Sequence, residues 1–288
     1  VLLDAALGQA RVSLALDHSV RAVAQESEGL RLSVQRADAS LTAVHTPLLV
    51  GADGLWSRVR ASVAAAPQPR STGHLAYRSL LRQADLPSAL RSQRVTVWLG
   101  PDFHVVQYPV RAGAWLNVVA LVQAQAGAFA AAVPAGWDHA GNAADLQFRL
   151  QRAARALQDV LHAVPQWRLW ALNDCVPLPG PQAMVQGRIA LLGDAAHPMR
   201  PYLAQGAGMA LEDAAQLGAC LGAQPQDFPG ALQRYAALRW QRNARVQARA
   251  ERNGRVFHLQ GAARLARNMA LRLGGAALLD APWLYAGP

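Results

Sequence analysis

The chain contains no lysine, so all 28 of its formally basic residues other than histidine are arginine. Against 18 acidic residues this leaves a net charge of +10 and a pI near 11.0. Such a balance suits nucleic acid only where cations are grouped with stacking aromatics, and aromatics make up just 6% of the chain. The one dense basic run (Arg234, Arg239, Arg242, Arg245, Arg249, Arg252, Arg255) has helical spacing and reads as a solvated, salt-bridged face. No nucleic-acid partner is expected. The only cysteines, Cys175 and Cys220, exclude a disulfide framework and a cysteine metal site, and read as packing residues in a reducing compartment. No apolar run reaches the roughly 18 residues of a membrane helix, and no leader pattern opens the chain. No integral membrane segment is therefore expected, and a cytoplasmic home is the default. Also absent are a carboxylate pair, a nucleophile with its base, and a metal-ligand cluster. The last absence is a strand followed by G-x-G-x-x-G and a helix, the turn that cradles a dinucleotide pyrophosphate.

What is present is a 288-residue chain, 52% hydrophobic, organised around IALLGDAAHPMRPYLAQGAGMALEDAAQLGACL at 189–221. Ile189 to Leu192 reads as a short buried strand, and Gly193-Asp194 halts it and leaves a carboxylate at its carboxyl end, where open α/β sheets hold ligands. A loop with Pro198 and Pro201 leads to Gly206-Ala207-Gly208 and a helix carrying Ala210, Leu211, Ala214, Leu217 and Leu221. A carboxylate suits paired sugar hydroxyls, and a glycine-rich helix start offers bare N–H groups at the positive end of the dipole. Together they suit a polyhydroxylated cofactor with an anionic edge.

The run GDAAHPMRPYLAQGAGMALEDA resembles the second flavin motif of the single-component, FAD-dependent aromatic hydroxylases, particularly their salicylate hydroxylase-like branch. The resemblance implies that Asp194 binds a sugar-chain hydroxyl of FAD, with Gly193 beside it among the cofactor-binding residues, that Pro201 lies near the reacting edge of the flavin, and that the backbone at Gly206 and Ala207 faces its pyrimidine edge. A second strand-to-turn junction, Gly51-Ala52-Asp53-Gly54 followed by Ser57, Arg58 and Arg60, resembles the family's Asp-Gly motif. It implies cofactor contacts from Asp53, Gly54 and Arg60, with Ser57 in support.

Elsewhere, Val1 to Leu7 reads as a helix tail. Arg11 to Asp17, Val20 to Ala24, Leu30 to Val34 and Leu41 to Val50 read as strands. Pro67, Pro69 and Ser71 to Gly73 read as a linker. Strands follow at His74 to Leu81, Arg94 to Leu99, Phe103 to Pro109 and Ala114 to Val122. Gln123 to Ala140 is alanine-rich and uninformative. Ala143 to Val160 has continuous helical spacing, and Trp167 to Val176 returns to the sheet. Asp227 with Pro229 opens a helix with Ala231, Tyr235 and Leu238 on one side. The expected architecture is α/β: a partial Rossmann-like FAD-binding domain with an inserted mixed or antiparallel β-sheet substrate domain and C-terminal helices. Residues 1–66 form the first part of the FAD-binding domain, 67–176 the substrate sheet, and 177–288 the second part with the closing helices.

The resemblance implies hydroxylation of a small phenolic or aromatic-acid ring, with FAD as cofactor, NADH or NADPH as co-substrate and dioxygen as oxygen donor. Candidate base or relay residues are His104, Tyr108 and His197, with Gln205 as a hydrogen-bond partner of substrate or flavin. Arg78 and Arg200 are candidate cations for an acidic substrate group. Gln107 stands where relatives commonly carry histidine, which weakens a histidine base at that position. The resemblance starts after the family's first βαβ unit, so the chain reads as one lacking its N-terminal glycine-rich part, through a partial gene, a misassigned start or a true deletion. Two alternatives stand beside the hydroxylase: an inactive remnant serving as an interaction module, and a quinone-pathway hydroxylase acting on a lipid substrate.

Overall fold

The computed structural model describes residues 1–63, 67–124, 139–278 and 280–287. Most of the stretch at 123–140 thus lies outside the described residues. The chain divides into two compact units, one formed by Val1–Pro67, Pro177–Pro198 and Gly206–Ala244, the other by Gln68–Val176, Met199–Gln205 and Arg245–Pro288.

The first unit opens with helix α1 (Leu2–Leu7) and an antiparallel sheet of β1 (Ser19–Gln25), β2 (Leu30–Gln35) and β3 (Leu41–Thr46). Strand β2 alternates as expected for a half-buried strand, with Leu30, Leu32 and Val34 in the core. Arg11 to Asp17 also alternates but is not a strand. No strand pairs with it among the described residues, and Leu14 and Leu16 stay exposed, so the alternation has no face to bury. The second sheet sets β4 (Leu49–Gly51) parallel to β12 (Ile189–Leu191), with β11 (Val185–Gln186) antiparallel to β12. Helix α4 (Gly206–Ala223) and the first half of α5 (Phe228–Phe257) complete the core through Leu217, Cys220, Ala231, Leu232, Tyr235 and Ala236. The helix start at Asp227 holds, since its Oδ1 accepts the Gly230 N–H at 3.0 Å. Leu238 does not share the buried face of Ala231 and Tyr235: it is half exposed, and Arg239 is buried instead.

The second unit is a six-stranded antiparallel sheet in the order β6 (Thr96–Gly100), β7 (Phe103–Val110), β8 (Trp115–Gln123), β5 (Arg70–Arg82), β10 (Trp167–Asp174) and β9 (His139–Gly141). Ser71 to Gly73 belongs to β5 rather than to a linker, paired in part against Asn173. One face is apolar. Leu75, Tyr77, Val105, Leu116, Val118 and Val122 pack there against α2 (Ala143–Arg149) and α3 (Arg155–His162). The continuous helical period at 143–160 is thus broken at Gln151–Ala154, and the turn lets Leu146, Leu150 and Leu157 all reach the sheet. Helices α6 (Gly261–Gly274) and α7 (Pro282–Tyr285) close the chain. Among the described residues no helix is long and apolar enough to cross a membrane.

Candidate functional site

Because β4 and β12 are parallel, with Gly51 opposite Leu191, the turns that follow them leave from the same end of the sheet. The first is braced from within. Asp53 accepts the Ser57 hydroxyl at 2.5 Å and the N–H groups of Arg58 and Val59 at 2.8 and 3.3 Å, and the Ser57 Oγ accepts the Arg60 N–H at 2.9 Å. Gly54 turns the chain with φ +78°. Arg60, only 2% exposed, donates to the carbonyls of Leu55, Asp194 and Ala195 at 2.7–2.9 Å, so it staples the first turn to the second.

In the second turn the exposed Asp194 side chain has no hydrogen-bond partner among the described residues. Helix α4 begins beside it: a methyl group added at Gly206 would stand 3.8 Å from Asp194 Oδ1. Gly206-Ala207-Gly208 supplies no large side chain, and no acidic residue sits in the first turn. The first N–H groups of a helix have no intrahelical acceptor, so this end offers donors and positive dipole next to a free carboxylate.

The loop itself is held from below by a buried charge cluster. Asp213 on α4 is fully buried, as is Arg239. The Asp213 Oδ2 meets His197 Nε2 at 2.5 Å and the Gly193 N–H at 3.2 Å, while Oδ1 takes Arg239 Nε at 2.8 Å and Asn243 Nδ2 at 3.1 Å. Burial raises the Asp213 carboxyl, but the hydrogen bond and charge of His197, joined by Arg239 and Asn243, outweigh it and hold the group below the usual carboxylate range. His197 is thereby turned into the core, 1% exposed.

In the second unit the sheet's other face is mixed, with polar side chains around an apolar cluster of Ala76, Leu121 and Tyr202. Alternation along β7 puts His104, Val106 and Tyr108 on one side and Phe103, Val105 and Gln107 on the other. Directly opposite partners share a face. The register His104 to Leu121 to Ala76 to Trp170, and Tyr108 to Asn117, therefore assembles one surface of polar and apolar side chains from β7, β8, β5 and β10. Arg78 stands on it, exposed, with Nε donating to Asn117 Oδ1 at 3.0 Å and no carboxylate partner among the described residues. Arg200 differs: it and Arg70 both bind the buried Asp174, at 2.8 and 2.9 Å. His104 is 1% exposed, and Tyr202 packs edge-on to it with ring centroids 4.9 Å apart. Gly254 makes room for Tyr202, since a Cβ there would meet its ring at 2.3 Å. Burial, then the neighbouring His258 and His74, lower His104 to about 3. Gln107 faces the apolar side near Trp98, so its departure from histidine leaves the His104 face untouched.

A family model described as FAD binding domain matches residues 1–251. The chain is 38% identical over 226 residues to 3-hydroxybenzoate 6-hydroxylase 1 of Aquipseudomonas alcaligenes, covering 78% of this chain and 55% of that protein. It is 33% identical over 259 residues to salicylate hydroxylase of Pseudomonas putida, covering 83% and 58%. The chain belongs to the FAD-dependent aromatic hydroxylase family. Among solved structures, a salicylate hydroxylase substrate complex superposes with a TM-score of 0.77 at 29% identity, covering 96% of this chain and 70% of that one. Klebsiella pneumoniae HpxO complexed with FAD and uric acid gives 0.77 at 26%, covering 93% and 66%. The chain spans a little over half the length of these two curated relatives.

The family's cofactor is FAD, and the residues present fit it: a free carboxylate for hydroxyls and a bare helix start for an anionic edge. The structure brings Asp53, Gly54, Ser57, Arg60, Gly193, Asp194, Gly206 and Ala207 together in the first unit, and Arg78, His104 and Tyr108 onto one face in the second. Pro201, Gln205 and Arg200 belong to the short segment Met199–Gln205, grouped with the second unit. Sequence reasoning assigned no role to Asp213, Asn117, Tyr202 or His258. Asp213 had a signal, a carboxylate at a buried helical position inside the flavin motif; the others had none.

Proposed function

We propose that the protein is a monooxygenase that hydroxylates a small ring bearing a phenol and an acidic group, using FAD, NADH or NADPH, and dioxygen. The observation that carries this reading is the mixed face of the second unit, where a buried neutral imidazole and a guanidinium with no carboxylate partner among the described residues share a sheet surface otherwise walled by Ala76, Val119, Leu121 and Trp170. When bound, FAD would supply the redox chemistry that links the nicotinamide to dioxygen. Asp194 would bind its sugar hydroxyls and the N–H groups at Gly206 and Ala207 would hold its anionic edge, while Asp53, Gly54, Ser57, Gly193 and Arg60 keep both turns in shape. His197 positions the Asp194 loop, and Pro201 and Gln205 line the approach to the ring. Arg78 holds the acidic group of the substrate through its two terminal nitrogens. Arg200, neutralised by Asp174, supports the Tyr202 loop. His104 accepts the proton of the ring hydroxyl, which makes the ring more nucleophilic, and Tyr108 hydrogen-bonds the same oxygen. The apolar wall keeps water from the reacting carbon.

The test is to mix the purified chain with FAD, desalt it, record the flavin spectrum, then follow NADH and NADPH oxidation with 3-hydroxybenzoate and salicylate and identify products by mass spectrometry. Retained flavin and a product heavier by one oxygen atom are expected, and Asp194→Ala should lose the flavin. A colourless protein, or nicotinamide oxidation with no hydroxylated product, overturns the reading.

A further inference from the structure

We propose that His258 is the outer half of a two-imidazole relay that takes over, from His104, the proton released by the ring hydroxyl of the substrate. This rests on the hydroxylase reading above and adds a residue to it.

His258, the first residue beyond α5, brings its Nε2 to 2.8 Å from His104 Nδ1. One hydrogen joins the two rings, which lie 5.0 Å apart at 42°. With that hydrogen on His104 Nδ1, the Nε2 on the opposite edge of the ring is a bare acceptor, and it has no hydrogen-bond partner among the described residues. Aromatic rings clamp the pair: Tyr202 at 4.9 Å and Phe257 at 5.2 Å stand edge-on to His104, and Tyr202 lies 6.1 Å from His258. His74, 5.3 Å from His258, is tied to its own backbone through the Thr72 carbonyl and bonds to neither ring. His104 is sealed from water whereas His258 is only half-buried, so the second ring is where the path meets solvent.

The step balances without a redox change. The O–H bond of the substrate breaks, and its proton goes to His104 Nε2 as His104 gives its Nδ1 hydrogen to His258 Nε2 and His258 releases its Nδ1 hydrogen to water. When the product regains a hydroxyl proton, the reverse transfer restores both tautomers. A relay is needed because His104 alone is a poor store. Burial, then the charges of His258 and His74, lower His104 to about 3, and burial with His74 lowers His258 to about 4. The other charged groups facing His258 are Asp102, which raises it, and Arg267 and Arg200, which lower it. A proton handed onward is not trapped on either ring.

Two measurements test this. Nitrogen-15 NMR of histidine-labelled protein reads the shared hydrogen without substrate: a protonated His104 Nδ1 is expected in the wild type and a changed signal in His258→Gln. In stopped flow, bound 3-hydroxybenzoate should develop a phenolate band in the wild type, none in His104→Gln, and one forming about 100-fold more slowly in His258→Gln. The Kd of His258→Gln should stay within about threefold of wild type, since glutamine still accepts the His104 hydrogen but cannot pass a proton on. Phenolate formation at the wild-type rate in His258→Gln, or no shared hydrogen in the wild type, overturns the relay and leaves the hydroxylase reading standing. A wild type with the shared hydrogen but no phenolate band overturns the hydroxylase reading and the relay with it, leaving a structural pair.

Discussion

The two units both bury polar side chains, but they pair them differently. In the first, Asp213 engages four donors and Arg60 three carbonyls, so the charge serves the shape of the turns and Asp194 is left over. In the second, among the described residues, Arg78 lacks a carboxylate, and the buried Asn117 Nδ2 and the Tyr202 hydroxyl have no partner. A desolvated polar group without a partner carries a penalty of about 1–3 kcal/mol, and both units contain some. In the first unit such atoms are His197 Nδ1 and Arg239 Nη1, inside the cluster that braces the turns; the contrast lies in the free charge, a carboxylate at Asp194 in one unit and a guanidinium at Arg78 in the other, neither with an opposite charge beside it among the described residues.

The largest break in this contrast is expected from Asp213→Ala. It takes from His197 its carboxylate and leaves Arg239 with only the Glu212 ion pair at 2.8 Å, and should lower stability by about 3–5 kcal/mol in urea unfolding, while Asp194→Ala should change it by less than about 0.5 kcal/mol. Arg60→Met leaves three carbonyls unpaired and should cost about 3 kcal/mol by the same measurement. Arg78→Ala should leave stability unchanged and weaken binding of an aromatic carboxylate by about 10- to 100-fold in calorimetry, the worth of one charge-assisted contact; an unchanged Kd would remove Arg78 from the site.

Acid should separate the units. His104 and His258 are depressed to about 3 and about 4 when folded, against about 6.5 unfolded. Between those values the unfolded chain binds more protons, so this contribution is intact above about pH 6.5 and falls as pH drops toward 4, by at most about 1.4 kcal/mol per pH unit for each histidine. Asp213, already below the ordinary carboxylate value of 3.8 when folded, loses its contribution only as pH falls below about 4. Hydrogen exchange at pH 5 should therefore show the sheet peptides around His104 opening before those of α4, and His104→Leu should flatten the difference. The smallest effect is local. Ala204, at φ +53°, is in the left-handed region, and Ala204→Gly should add up to about 1 kcal/mol.

Much of this was legible in the order of residues. Strand, Gly-Asp, loop and glycine-led helix is a local pattern, and the structure renders it as β12, the Asp194 turn and α4. The strands at Phe103 to Pro109 and Ala114 to Val122 carry their own period and turned up in place. Expectations failed where a partner decided the outcome. Arg11 to Asp17 alternates with nothing to pair with, residues 143–160 keep a helical period yet bend to fit one sheet, and Arg239 sits in an arginine-rich stretch but is drawn inward by a carboxylate 26 positions earlier.

By itself, then, the sequence determined the family, the α/β alternation, and the end of the sheet at which a cofactor would lie, because each depends on short-range spacing and turn chemistry. Only the tertiary structure decided which charges remain free. That Arg78 has no carboxylate partner among the described residues while Arg200 is neutralised, that His197 faces the core, and that His258 reaches His104 across 154 positions are outcomes of which segments meet. A charge's availability is a property of its neighbours, and neighbours are set by packing.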